Sequence, residues 1–148
     1  ALVGLLVALL ALLLTAFAFY SYVNMRAVTA KREVTIKRLE LIKEALQRYL
    51  VDCGGSLPTQ EQGLAALLAK PKVRPIPRGW RGPYLEDPAV LRDGWGRPFK
   101  YYCPGGGDPN DAGRLRPFDL ASYGQDGAEG GTGLDRDLCS WDRKTLLP

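Results

Sequence analysis

Residues 1–55 read ALVGLLVALLALLLTAFAFYSYVNMRAVTAKREVTIKRLELIKEALQRYLVDCGG, and the architecture turns on them. No proline occurs before Pro58, and after Gly4 the next glycine is Gly54. The two residue types that break helices are thus missing from the interior, so one helix over residues 2–52, on the order of 75 Å long, is expected. Its two halves have different chemistry. Residues 1–25 carry no charged side chain, and the first twenty are apolar apart from Gly4 and Thr15. Twenty helical residues span roughly 30 Å, the thickness of a bilayer's hydrocarbon core. From Arg26 onward the pattern becomes amphipathic, with Leu39, Ile42, Leu46 and Tyr49 at spacings of three and four, widened by Ala45 and Leu50. Glu33 with Lys37 and Glu44 with Arg48 stand at the i,i+4 spacing that favours ion pairs on the outer side. Gly54-Gly55 supplies the left-handed residue that ends such a helix.

A secretory signal would start with basic residues and carry a shorter apolar run. A helix that is apolar on every face for five turns is rarely the core of so small a protein. Residues 1–25 therefore read as a transmembrane or filament-core segment. Residues 26–148 read as one globular domain that includes the amphipathic half of the helix, 26–53.

Beyond the helix, Thr59 and Gln62 form a capping-box pattern that opens a short second helix through Leu64, Leu67 and Leu68. Residues 71–98 are rich in Pro, Gly and Arg, with Trp80, Tyr84 and Trp95 as anchors of an irregular loop. Residues 99–103 and 118–123 read as strands joined across the glycine-rich stretch Pro104–Pro117, and Pro83-Tyr84-Leu85 as a short third strand. The expected class is α+β, a long N-terminal helix packed on a small antiparallel sheet.

The formal charge of +4 is unevenly placed. Residues 1–118 hold 17 basic and 10 acidic side chains, whereas residues 119–142 hold six acids against Arg136 alone. The basic residues are not gathered with stacking aromatics, so nucleic acid is not an expected partner. With no histidine, a neutral-pH base is missing, and no Ser, Cys or Lys arrangement resembles an activated nucleophile. An enzyme is not expected. Cys53, Cys103 and Cys139 form no CxxC pair; their spacing suits one disulfide in an oxidising compartment, with any of three pairings open, or else three buried thiols in a reducing one.

The acidic tail carries the candidate site. Residues 123–137 interleave hard oxygen donors with glycines, and calcium takes six to eight oxygens in flexible geometry, backbone carbonyls included. Gly130-Gly131-Thr132-Gly133-Leu134-Asp135 fits the start of a calcium-binding β-helix nonapeptide, but in one copy and with Asp137 where an apolar residue belongs. The EF-hand pattern is absent. A calcium loop and a solvated acidic turn are the two readings.

Several segments together resemble one family. Leu57-Pro58-Thr59-Gln60-Glu61-Gln62-Gly63-Leu64, Trp80-Arg81-Gly82-Pro83-Tyr84-Leu85, Asp93-Gly94-Trp95-Gly96-Arg97-Pro98-Phe99-Lys100-Tyr101 and Phe118-Asp119-Leu120-Ala121-Ser122-Tyr123-Gly124-Gln125-Asp126-Gly127 occur in order, followed by the Glu129-Gly130-Gly131 turn with Asp137 and Trp141. The chain resembles the major pseudopilins of type II secretion, within the type IV pilin-like superfamily. The resemblance implies a pilin-like fold, with the domain over 26–148 ending in a metal-binding loop. It implies a structural subunit of a helical homopolymer that works with other pseudopilins and the secretion system's inner-membrane components. A prepilin peptidase would remove a basic leader, the new end would be methylated, and membrane lipid would hold the chain before assembly. Arg26, Lys31 and Arg32 would by the positive-inside tendency keep the domain in the cytoplasm; the resemblance implies the opposite, an inner-membrane anchor with a periplasmic domain and a periplasmic or extracellular filament.

It also implies Ca2+ held by Asp126 and the later aspartates Asp135 and Asp137, with carbonyls near Tyr123, Gln125 and Ala128. The family carries a glutamate where this chain has Leu5, and many members have a proline near Tyr22. If Ala1 is the processed end, its ammonium therefore lacks the usual acid partner. The alternatives are a surface type IV pilus subunit for adhesion, motility or electron transfer, and a monomeric membrane-tethered periplasmic binding module.

Overall fold

The computed structural model describes residues 2–106 and 116–142. Helix α1 runs unbroken over Leu2–Asp52. It ends at the paired glycines: Gly54 and Gly55 take φ of 65° and 86°, and the Gly55 N–H donates to the Leu50 carbonyl at 2.8 Å. Leu39, Ile42, Ala45, Leu46 and Tyr49 form its buried stripe, and Leu50 lies half-buried at the margin. Residues 2–20, by contrast, are exposed throughout.

Against the stripe packs an antiparallel sheet in the order β1-β2-β3, where β1 is Lys100–Tyr102, β2 Asp119–Ser122 and β3 Leu138–Cys139. Lys100 faces Ala121 and Tyr102 faces Asp119; on the other side Ala121 faces Cys139 and Ser122 faces Leu138. Phe99, Tyr101 and Leu120 join the α1 stripe in one core with Leu64, Leu67, Tyr84 and Leu85. The α+β architecture and its two principal strands stand as read.

Four local expectations are corrected. The capping box forms, with Thr59 N–H to Gln62 Oε1 at 3.0 Å and Gln62 N–H to Thr59 Oγ1 at 3.2 Å. It closes only a turn, because Gly63 then swings to φ 60° and leaves a four-residue 3-10 helix, Leu64–Leu67. Pro83-Tyr84-Leu85 is not a strand. The Tyr84 and Leu85 N–H groups both donate to the single Leu67 carbonyl, at 2.8 and 3.2 Å, and the third strand comes from Leu138–Cys139. Neither expected i,i+4 ion pair forms among the described residues. Lys43 meets Glu40 at 3.1 Å instead, and Arg48 donates to the Tyr84 carbonyl at 2.8 Å, a use that ties the helix to the loop beyond the core.

No disulfide joins Cys53, Cys103 and Cys139 among the described residues. Cys139 lies on β3 and Cys103 just past β1, with β2 between; two strand spacings come to roughly 9.5 Å, beyond disulfide reach. Cys53 sits past the end of α1, and burial raises its thiol pKa above the ordinary value. The turn expected over Pro104–Pro117 lies mostly outside the described residues.

Candidate functional site

The acidic loop leaves β2 at Tyr123 and returns at β3. Its first turn closes where the Gly127 N–H donates to the Tyr123 carbonyl at 3.1 Å. Gly124 takes φ 60°, and a side-chain carbon there would lie 3.0 Å from the carbonyls of both Asp135 and Arg136. The outgoing and returning limbs thus pack backbone to backbone, which places Asp126 and Asp137 in one neighbourhood although ten residues separate them. Asp126 Oδ1 accepts the Ala128 N–H at 3.1 Å, and Asp137 Oδ2 accepts the Gly130 N–H at 2.9 Å.

The second Asp137 oxygen, Oδ1, is buried with no hydrogen-bond partner among the described residues. Burial lifts the Asp137 carboxyl above the usual aspartate range. The Gly130 N–H draws it back, while the Asp126 and Glu129 carboxylates push it further up. A buried lone pair without a donor, beside two more carboxylates, is a site of negative potential that a hard cation complements.

The other nominated residues are placed differently. Asp135 ends a 3-10 turn, Gly133–Asp135, with its side chain exposed. The Gln125 carbonyl accepts from the Arg97 guanidinium at 3.3 Å, and the Gly124 carbonyl accepts from the same Nη2. Ala128 is exposed, and the Tyr123 hydroxyl lies 3.3 Å from that of Tyr102. Among the described residues no group of three or more acidic or cysteine side chains is gathered to hold a metal. Asp126 and Asp137 fit calcium; Asp135 and the Gln125 carbonyl would have to turn toward it.

Sequence reading did not assign a role to three residues here. Glu129 acts on Asp137 through its charge. Arg97 caps the loop's carbonyls. Its own position comes from Asp93, which is 2% exposed and accepts the Trp95 and Arg97 N–H groups at 2.9 Å each and the Ser122 hydroxyl at 2.7 Å. Arg32 clamps the loop to α1, donating to the Leu134 and Arg136 carbonyls at 3.2 and 2.9 Å. An arginine that bonds backbone carbonyls leaves no pairing signal in sequence, which explains the omission.

The second functional feature is α1 itself, whose N-terminal part is long and apolar enough to cross a membrane, with none of its most apolar window buried. Leu2, Leu5, Phe17 and Phe19 are each 70% exposed or more. Such a surface fits a transmembrane anchor.

A family model described as type II secretion system (T2SS), protein G matches residues 23–141. The type II secretion system core protein G of Pseudomonas aeruginosa is 39% identical over 114 residues, covering 76% of this chain and 72% of that protein. The protein of the same description from Vibrio cholerae is 34% identical over 114 residues, covering 76% and 70%. The crystal structure of the major pseudopilin from the type 2 secretion system of enterohaemorrhagic Escherichia coli matches with a TM-score of 0.59 at 30% identity, covering 76% of this chain and 88% of that one. The match takes in the amphipathic half of α1, the sheet and the acidic loop, and this chain belongs to the type II secretion system protein G family.

Proposed function

We propose that the chain is a structural subunit of a pseudopilus, a helical filament of copies of itself that serves type II protein secretion. The carrying observation is the family match joined to an α1 whose first five turns are apolar on every face and covered by nothing in the single chain. Lipid covers that surface before assembly. Packing against the α1 helices of neighbouring copies covers it afterwards, at about 25 cal/mol per Å2 of apolar surface kept from water. The domain then stands on the periplasmic side of an inner-membrane anchor, in contact with other pseudopilins and the inner-membrane parts of the secretion system, after processing by a prepilin peptidase. Electron microscopy of the full-length chain tests the assembly: helical filaments are expected, and a folded monomer under every condition overturns it. The family match favours export over the surface-pilus and monomeric-module readings.

Calcium belongs to this reading as the ion that orders the acidic loop, with Asp126 and Asp137 as its side-chain ligands and Asp135 and the carbonyls of Tyr123, Gln125 and Ala128 completing the shell. The orphaned Asp137 Oδ1 supports it. Bound calcium would supply positive charge to these oxygens, adding to the single N–H groups that Ala128 and Gly130 donate to Asp126 and Asp137. Titration calorimetry is expected to show one calcium per chain and to lose it in Asp126→Ala; no heat of binding in the unsubstituted chain overturns the assignment.

A further inference from the structure

The loop over residues 70–81 is the most one-sided surface of the domain. Lys70, Lys72, Arg74, Arg78 and Arg81 are all exposed, and no acid occurs between Glu61 and Glu86. None of the five head groups has an ion pair among the described residues. Among them stand Val73 and Ile76, 42% and 49% exposed. The loop is held in place: the Gln62 side-chain amide donates to the Val73 and Pro75 carbonyls at 2.8 Å each, and Trp80 Nε1 donates to the Ala66 carbonyl at 2.9 Å. Gly79 packs so closely on the end of α1 that a side-chain carbon there would run into the Asp52 carbonyl. An apolar centre with a charged rim on ordered backbone has the anatomy of an interface and little ordering cost on binding.

The acidic loop has the matching anatomy with opposite sign. Asp126, Glu129 and Asp135 are exposed, no basic residue lies between 126 and 135, and Leu134 is 36% exposed beside them. Arg32 fixes this loop at its own level on α1. From residue 32 to residue 52 the helix rises about 30 Å, so the two patches are displaced by that distance along one axis. Two complementary patches on one chain, offset by translation, make a head-to-tail contact that repeats without closing, which is the condition for a filament.

We infer that the basic 70–81 loop of one copy docks on the acidic 126–137 loop of the copy about 30 Å further along the helix axis, Val73 and Ile76 meeting Leu134 inside a ring of opposed charge. This rests on the filament reading above and specifies one of its contacts. An anionic membrane is the competing partner for a basic, apolar loop. Geometry disfavours it: from Met25 to the end of α1 at Asp52 the helix rises about 40 Å, several times the roughly 8 Å over which salt screens such attraction. Calcium leaves the match in sign, because Arg136 is paired with Asp142 and two charges on the ion do not cancel the four carboxylates of residues 126–137.

The test uses full-length chain. Arg74→Glu with Arg78→Glu is expected to cut filament yield about tenfold, with unchanged melting of the solubilised chain. Adding Thr132→Lys, outside the proposed calcium ligands, to the same chain is expected to restore part of the yield. Independently, a photocrosslinking residue in place of Ile76 is expected to capture residues 126–137 of another copy in filaments of otherwise unaltered chain. Normal assembly of the Arg74/Arg78 variant, or crosslinks in filaments that all fall elsewhere, overturns the contact while leaving the filament reading standing. Loss of binding to phosphatidylglycerol vesicles in that variant with full filament yield assigns the loop to lipid instead. Absence of filaments from the unsubstituted chain overturns the filament reading itself.

Discussion

Asp93 is a buried carboxylate that gathers polar bonds from two parts of the domain. Its two oxygens accept three hydrogen bonds, from the Trp95 and Arg97 backbone and from Ser122 on β2, with the Arg97 guanidinium Nε 3.7 Å away. Removing it leaves those donors unmatched beside the acidic loop. Asp93→Ala is therefore expected to cost about 3 kcal/mol or more, read as a lowered midpoint in urea unfolding of the solubilised chain. Buried tyrosines add a pH dependence on the alkaline side. Burial first, then the neighbouring Cys53, pushes Tyr49 up to about 12, and burial raises Tyr101, whose hydroxyl donates to the Pro58 carbonyl at 2.7 Å. The fold favours the neutral phenol, so this stability is complete below the ordinary tyrosine value of about 10 and is lost as pH rises through about 12. Phenolate absorbance and circular dichroism are expected to change together in that window; early ionisation with the fold intact would refute it. At Leu5 the side chain is 72% exposed on the apolar surface, where an acid is costly without a partner. Leu5→Glu is expected to leave filament yield unchanged or lower it, and a marked gain in yield would show that the missing acid limits assembly.

At the level of elements, α1 is two devices on one backbone, and substitutions separate them. Leu46 is fully buried in the core, so Leu46→Ala is expected to destabilise the domain by about 2–5 kcal/mol. Leu6→Ala, on a face 58% exposed in the single chain, is expected to leave domain unfolding unchanged and to weaken assembly. Equal effects on domain melting would contradict the division. This division was legible in sequence because periodicity reports burial directly: Leu39, Ile42, Leu46 and Tyr49 sit where their spacing puts them. So were the β1 and β2 strands, from the aromatic-containing runs 99–103 and 118–123 on either side of a glycine-rich stretch. The β3 strand was not, since two residues, Leu138 and Cys139, carry no period, and only the fit of Leu138 into the core and the pairing opposite Ala121 and Ser122 define them. The acidic loop was legible as composition. Its internal order was not, because that order depends on Arg32 and Arg97 reaching backbone carbonyls across 102 and 27 residues of chain.

Across the whole molecule, the calcium proposed for the acidic loop would link ion binding to assembly. A ligand specific for the folded form adds RT ln(1 + [L]/Kd), about 2.7 kcal/mol at a hundredfold excess over Kd. Chelation is thus expected to lower the melting temperature and the filament yield together, with Asp126→Ala reproducing both. Magnesium, which demands tighter octahedral geometry and keeps its waters, is expected to rescue poorly. Unchanged melting and assembly of verified metal-free protein would reduce the loop to an ordinary acidic turn. The unbroken α1 carries a mechanical consequence as well. Sharp helix bends arise at proline, at glycine or serine pairs, or at bulges, and between Leu5 and Asp52 the chain has no proline or glycine and no such pair. With no hinge between the apolar half and the domain, the helix is a stiff strut. A load applied where α1 enters the bilayer reaches the sheet as displacement and is not absorbed as bending on the way.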